Sequence, residues 1–172
     1  MDNLILVGMP CSGKTTVGQM LSERIKMEFF DSDDYIKLKT QKSIEDIFSE
    51  YGEGYFRELE RDVILDEISA FNNTIVSTGG GMPTKFDNME RLKKCGMVIY
   101  LKNTVENLNE RLDRKNRPLF KDPNAIKTLE ELLNTRNSIY EKADIIIDCA
   151  SATPEEICEK ILVSINSMNI HF

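Results

Sequence analysis

The chain has little with which to build a metal centre. Its 172 residues include one histidine, His171, and four cysteines, Cys11, Cys95, Cys149 and Cys158, no two of which form a CxxC pair. No zinc pattern can be assembled from that set, and free thiols in a reducing cytoplasm are expected. Long hydrophobic runs are also lacking. The apolar stretch Leu4-Ile5-Leu6-Val7 spans four residues, so neither a signal peptide nor a membrane span is expected. Nor is positive charge in excess: 22 Lys and Arg stand against 29 Asp and Glu, a formal net charge of −7. That balance argues against a nucleic-acid partner and against an anionic membrane surface. The sequence holds no repeat, no low-complexity tract and no long linker. What remains is ordinary for a globular protein, and 172 residues suffice for one domain, 1–172, with a proper core.

Short β-rich runs alternate with helical stretches. Strands are expected at Leu4–Val7, Glu28–Asp31, Thr74–Ser77, Met97–Leu101 and Ala143–Asp148. The first does not alternate with polar residues, as for a strand covered on both faces. Helices are expected over Thr15–Lys26, Ile44–Glu50, Phe56–Phe71 and from Thr104 to about Leu112, with a last one opening at Thr153. Ser43 with Asp46, and Thr153 with Glu156, have capping-box spacing, and Pro154 suits a first helical position. Five strands alternating with helices imply an α/β fold with a parallel sheet between helical layers. Ligands then bind beyond the carboxyl ends of the strands.

Gly8-Met9-Pro10-Cys11-Ser12-Gly13-Lys14-Thr15 matches G-x-x-x-x-G-K-[ST] between a predicted strand and a predicted helix. Backbone N–H groups of such a loop wrap the β-phosphate, and the helix adds its positive dipole end. Lys14 places a charge on the β- and γ-phosphates, and the Thr15 hydroxyl can ligate Mg²⁺. A chance glycine turn is the minor alternative. The motif does not reveal what receives the phosphate.

Asp31, Asp33 and Asp34 fall at the end of the second strand, beside that loop. A carboxylate there can support magnesium near Thr15, and another can orient an acceptor hydroxyl. If the strand stays extended, Asp31 and Asp33 share a face. The alternative is capping of a helix by this acidic cluster.

Taken together, these motifs resemble the shikimate kinase family. The set comprises the loop, Asp31-x-Asp33, Gly54-Tyr55-Phe56-Arg57-x-x-Glu60, Ser77-Thr78-Gly79-Gly80-Gly81, Arg117-Pro118-Leu119 and Arg136-x-x-x-Tyr140, in family order from about residue 3 to 154. The resemblance implies a three-layer α/β/α P-loop kinase fold with sheet order 2-3-1-4-5. It implies a helical substrate-binding region at about 32–61 and a mobile lid at about 113–123. It also implies transfer of the ATP γ-phosphate to the 3-hydroxyl of shikimate, with Mg²⁺ as cofactor.

The resemblance assigns roles too. Asp33, Lys14 and Arg117 would be catalytic. Gly8 to Thr15 and Thr16, with Arg111, Arg117, Ala152, Thr153 and Pro154, would hold ATP. Asp33, Arg57, Gly79, Gly80, Gly81 and Arg136 would bind shikimate, with Glu60 orienting Arg57. Thr15 and Asp31 would place the metal. An arginine fork suits the single carboxylate of shikimate. Read alone, Arg57 fits a surface ion pair with Glu53 or Glu60, Arg136 a solvated helix face with Glu131, the glycines a flexible turn, and Arg114-Lys115 a basic surface loop. Three departures from the family pattern stand out. Cys11 replaces a frequent glycine, Lys37 replaces an acidic residue, and Phe120 replaces a leucine. A gluconate-type or nucleotide-type kinase and a non-catalytic ATP-binding regulatory domain are the alternatives. A cytoplasmic monomer is expected.

Overall fold

The computed structural model describes residues 3–112 and 125–168. The expected lid at 113–123, with Arg114, Lys115, Arg117 and Phe120, and also His171, lies outside the described residues. The strands are β1 (Leu4–Val7), β2 (Glu28–Asp31), β3 (Thr74–Ser77), β4 (Met97–Lys102) and β5 (Ile145–Asp148). The helices are α1 (Lys14–Ile25), α2 (Ser32–Thr40), α3 (Ile44–Asp66), α4 (Asn88–Cys95), α5 (Val105–Glu110), α6 (Ala125–Tyr140) and α7 (Pro154–Ser167). All strand pairs are parallel, in the order β2-β3-β1-β4-β5, as expected.

Side chains alternate across a strand, so a strand buried on both faces needs apolar residues at every position. In β1, Ile5 and Val7 enter one cluster with Ile64, Leu92 and Leu129 from α3, α4 and α6. Leu4 and Leu6 enter a second cluster with Val17, Leu21, Ile157 and Ile161 from α1 and α7. The sheet is thus the middle layer of three. Not every strand is covered twice, however. β2 and β5 are the sheet edges, and in β5 Ile145 and Ile147 are buried while Ile146 is 45% exposed. No described helix is long and apolar enough to cross a membrane.

Both expected capping boxes form, Ser43 with Asp46 on α3 and Thr153 with Glu156 on α7. The two helices expected over 44–71 are the two segments of α3, separated by non-helical backbone at Gly52 (φ 80°), and a 3-10 turn at Ile68–Ala70 replaces the last turn. The extended geometry considered for Asp31 and Asp33 does not occur. The chain turns into α2 at Ser32, and Asp31 is its N-cap, accepting from the backbone N–H groups of Asp33 and Asp34. That is the capping alternative the acidic cluster offered, within the helical region expected at about 32–61; α4 was not expected. The only buried hydrophobic residue of α2 is Ile36, so the helix has almost no apolar stripe to read. Lys37 sits on its exposed side, paired with Asp34.

One buried side chain ties the amino end of the sheet together. The Asn3 amide donates to Phe71 O and Cys95 O, each at 2.9 Å, and its oxygen accepts from Thr74 N at 3.0 Å. Truncation leaves three backbone groups without that partner in a site closed to water. Asn3→Ala should therefore lower the unfolding free energy by roughly 2–4 kcal/mol in urea titrations, with an unchanged m-value. A loss below about 0.5 kcal/mol, the scale of ordinary surface changes, would contradict this accounting.

Candidate active site

Parallel pairing sets Ser77 of β3 between Leu6 of β1 and Asp31 of β2. The loops leaving all three strands therefore start at one edge of the sheet. After β1 the chain makes the Gly8–Thr15 loop, with left-handed backbone at Cys11 (φ 65°) and at Gly13 (φ 93°), which caps α1. Lys14 is buried and curls back over the loop. Its ammonium donates to Gly8 O at 3.0 Å and Met9 O at 2.8 Å, and approaches Ser12 Oγ at 3.4 Å. The loop and its lysine form one preset unit.

The Thr15 hydroxyl donates to Asp31 Oδ2 at 2.8 Å and lies 3.4 Å from Ser77 Oγ. Carboxylate and hydroxyl oxygens are hard donors that suit Mg²⁺. Among the described residues no cluster of three or more His, Cys, Asp or Glu could hold a metal by itself. The residues present fit an ion that keeps most of its coordination for water and phosphate oxygens.

A cavity of about 470 Å³ opens over the loop. Its lining includes Pro10, Cys11, Gly13, Lys14, Thr15, Thr16, Asp31, Asp33, Gly80, Arg111 and Pro154. Ser77 and Thr78, quoted from the motif but given no role, line it as well. Gly8, Met9 and Ser12 are not on the wall. Met9 and Ser12 point inward and are almost fully buried. Ala152 lines a separate surface depression, and Thr153 is engaged in capping α7.

The segment after β3 holds the site together. A Cβ on Gly79 would collide with Asp33 Oδ1 and come within 2.9 Å of Glu60 Oε1. On Gly80 it would lie 2.9 Å from Pro10 Cδ, and on Gly81 it would collide with the Arg57 guanidinium. Three consecutive glycines thus touch the acidic pair, the phosphate loop and the arginine in turn. Ser32 Oγ accepts from Gly79 N at 2.9 Å, and the Tyr140 hydroxyl donates to Gly80 O at 2.6 Å. Sequence reasoning missed Ser32. Its only sign was a small hydroxyl between two aspartates at a strand end.

Arg57 is 7% exposed and Glu60 1%. Arg57 Nη1 donates to Glu60 Oε2 at 2.7 Å, while Nε and Nη2 donate to Glu53 Oε1 at 3.0 and 2.9 Å. Both ion pairs foreseen for Arg57 exist, the one to Glu60 in the interior and the one to Glu53 on a half-exposed side chain. Burial works against the Arg57 charge, yet Glu60 and Glu53 outweigh it and hold the guanidinium above its usual value. Burial also pushes Glu60 up to about 7, against the pull of Arg57. Arg136 is 8% exposed and faces Tyr140, whose phenol burial pushes up to about 12 while Arg136 pulls the other way. Arg136 is therefore not on a solvated helix face.

The Glu60 shift has a consequence for stability. Between its ordinary value of 4.5 and about 7, an unfolded chain sheds this proton while the folded chain keeps it. The stabilising contribution is full below pH 4.5 and is lost as pH rises through about 7. The stability difference between the wild type and Glu60→Gln, from urea midpoints, should shift against the wild type from pH 5 to 7.5. A difference constant across that range would contradict the assignment.

Comparisons with known proteins point to one family. The family model for shikimate kinase matches residues 10–166. A shikimate kinase of Thermodesulfovibrio yellowstonii is 39% identical over 163 residues, covering 94% of each chain. One from Clostridium botulinum (strain Langeland) is 45% identical over 150 residues, covering 86% of this chain and 87% of the relative. Among solved structures, shikimate kinase from Acinetobacter baumannii in complex with shikimate superposes with a TM-score of 0.93 at 37% identity, covering 99% and 96% of the two chains. A gluconokinase from Sinorhizobium meliloti, 15% identical with a TM-score of 0.61, shares the fold alone. With the family model spanning most of its length and a phosphate loop, glycine segment and buried arginine meeting at one sheet edge, the chain belongs to the shikimate kinase family.

Proposed function

We propose that the chain transfers the γ-phosphate of ATP to the 3-hydroxyl of shikimate, giving ADP and shikimate 3-phosphate in aromatic amino-acid biosynthesis. The observation that carries this reading is the glycine segment, which touches Asp33, the phosphate loop and Arg57 in succession. A small anionic acceptor held there by a guanidinium lies between a carboxylate and a nucleotide phosphate.

Lys14 is proposed to turn its N–H groups from the loop carbonyls to phosphate oxygens. Backbone N–H groups of the loop from Cys11 to Thr16, at the amino end of α1, receive the anionic phosphates, Ser12 turning its own from Met9 O. Thr15 and Asp31 would hold Mg²⁺, which supplies charge neutralisation on the phosphates when bound. Asp33, on the first turn of α2, is proposed to align the acceptor hydroxyl and take its proton. Arg57 and Arg136 would take the acceptor carboxylate, and Glu60 fixes the Arg57 fork. Gly79, Gly80 and Gly81 let the backbone approach the acceptor.

Arg111 approaches Gly13 and lines the cavity with Pro154. Both are proposed to border the nucleoside, with Ala152 and Thr153 beyond them. Arg117 is assigned to charge stabilisation on its motif alone. Cytoplasmic localisation and a monomeric state belong to the same proposal.

A coupled ADP-release assay with Mg·ATP and shikimate, gluconate, AMP or no acceptor tests the function. Turnover should depend on shikimate. Turnover with another acceptor would discard the assignment, and silence with all of them in a folded, ATP-binding protein would favour a regulatory domain. Asp33→Asn should lower kcat by about 10²–10⁴-fold with nearly unchanged ATP affinity. Equal loss of ATP binding would show that Asp33 serves the nucleotide instead. Arg136→Ala should raise the acceptor KM by roughly 10- to 100-fold, the scale of a charge-assisted contact. An unchanged acceptor KM would contradict the carboxylate role.

A further inference from the structure

Glu53 covers the part of Arg57 that an incoming carboxylate needs. A guanidinium takes a carboxylate bidentately along an edge of two nitrogens. Nε and Nη2 make such an edge, and Glu53 Oε1 receives both, at 3.0 and 2.9 Å. Nη1 is turned inward to Glu60 Oε2, and Gly81 presses against the guanidinium from another side. Glu60 is closed off at 1% exposure, whereas the Glu53 side chain is 54% exposed. The accessible approach to Arg57 is therefore the one Glu53 occupies.

Other cations surround the same carboxylate. Lys85 Nζ lies 4.0 Å from Glu53 Oε1. Arg57 first, then Lys85 and Arg136, hold the Glu53 carboxyl below its ordinary value. One side-chain carboxylate thus sits among three cations, two of which are the arginines assigned above to an acceptor carboxylate.

The mounting of Glu53 differs from that of Glu60. Glu53 lies between Gly52 and Gly54 at the break in α3. Gly52 has φ 80° and ψ 172°, a conformation that side-chain-bearing residues rarely adopt. Apart from chain neighbours and the helix's own backbone, a Cβ built on Gly52 or on Gly54 would meet no atom within 4 Å. These glycines make no room for a neighbour. They leave Glu53 on a backbone break with its side chain 54% exposed, able to swing outward by giving up its contacts with Arg57 and Lys85. Glu60 has no such freedom.

We propose that Glu53 is an internal stand-in for the acceptor carboxylate. It neutralises and orients the Arg57 edge while the acceptor site is empty and yields that edge when an acceptor carboxylate arrives. This rests on the reading of Arg57 as the acceptor-carboxylate anchor. Glu53 then sets a threshold for acceptor binding. Only a ligand that replaces a carboxylate on Arg57 gains the edge, so neutral analogues gain nothing from its release.

The test is equilibrium titration of the full-length protein and of Glu53→Gln with shikimate and with its neutral methyl ester. Glu53→Gln weakens the competitor, so the shikimate Kd should fall about 3- to 10-fold, the scale of one partly exposed charge-assisted pair, while the ester Kd stays constant. A shikimate Kd that rises or does not change overturns the proposal, as does an equal gain for the ester. Glu53→Asp, one methylene shorter, should fall between the two for shikimate, and a Kd outside that interval also overturns it. Failure of the underlying reading has a different signature: wild type that binds shikimate and its ester equally, or Arg57→Lys that leaves shikimate binding intact.

Discussion

The parallel register of β1, β2 and β3 is the constraint on which the rest depends. It sets Leu6, Ser77 and Asp31 side by side, so three chain segments leave the sheet from the same edge. Each exit uses its position differently. After β1 the backbone turns through left-handed residues into α1 and presents a cradle for phosphate. After β2 the chain turns at once into α2, so Asp31 caps the helix and Asp33 rises in its first turn. After β3 three glycines let the other two exits and Arg57 close in. A one-residue slip of β3 would move every one of these contacts, because strand periodicity is two. The alternating burial of β1 on two cores opposes such a slip.

Charge at this edge is arranged in two regions. Over the phosphate loop the amino end of α1 and the Lys14 ammonium favour anions, and Thr15 and Asp31 supply hard oxygen. Beyond the glycines, Arg57 and Arg136 are almost fully buried and are balanced by carboxylates of different character. Glu60 is locked inside and titrates near neutrality because burial disfavours its charge. Glu53 remains half exposed on a backbone break. A site for an anionic acceptor must stay folded when it is empty, and buried cations without partners would oppose that. The carboxylates resolve this conflict.

How much of this was legible depends on whether the signal was local. The phosphate loop was, because its motif, the strand before it and the helix after it lie within a few residues. The capping boxes at Ser43 and Thr153 were local too. The sheet order followed from family resemblance alone, since apolar patterning says nothing about which strands neighbour. Asp31 and Asp33 were singled out by their place at the end of β2; of the two geometries open to them, shared strand face or helix capping, the structure takes the second, and α2 left little trace because only Ile36 of its hydrophobic residues is buried. The setting of Arg57 was hidden for another reason. Spacing predicted its partners correctly, but burial, which turns a weak surface pair into a fixed fork, comes from α3 packing on the glycine segment. Ser32 and Tyr140 hold that segment by hydrogen bonds across 47 and 60 residues, beyond the reach of any local pattern.

The central claim is that this edge of the sheet fixes an acceptor by its carboxylate so that one hydroxyl alone faces Asp33 and the phosphate loop. The most direct test is the structure of the product formed from shikimate and Mg·ATP, read by phosphorus–proton correlation NMR of the reaction mixture. The account predicts a single phosphate ester on the 3-hydroxyl, formed in step with ADP. A mixture of esters on different hydroxyls, or ADP and inorganic phosphate without ester, would show that the glycine segment and the arginines do not hold the acceptor as described.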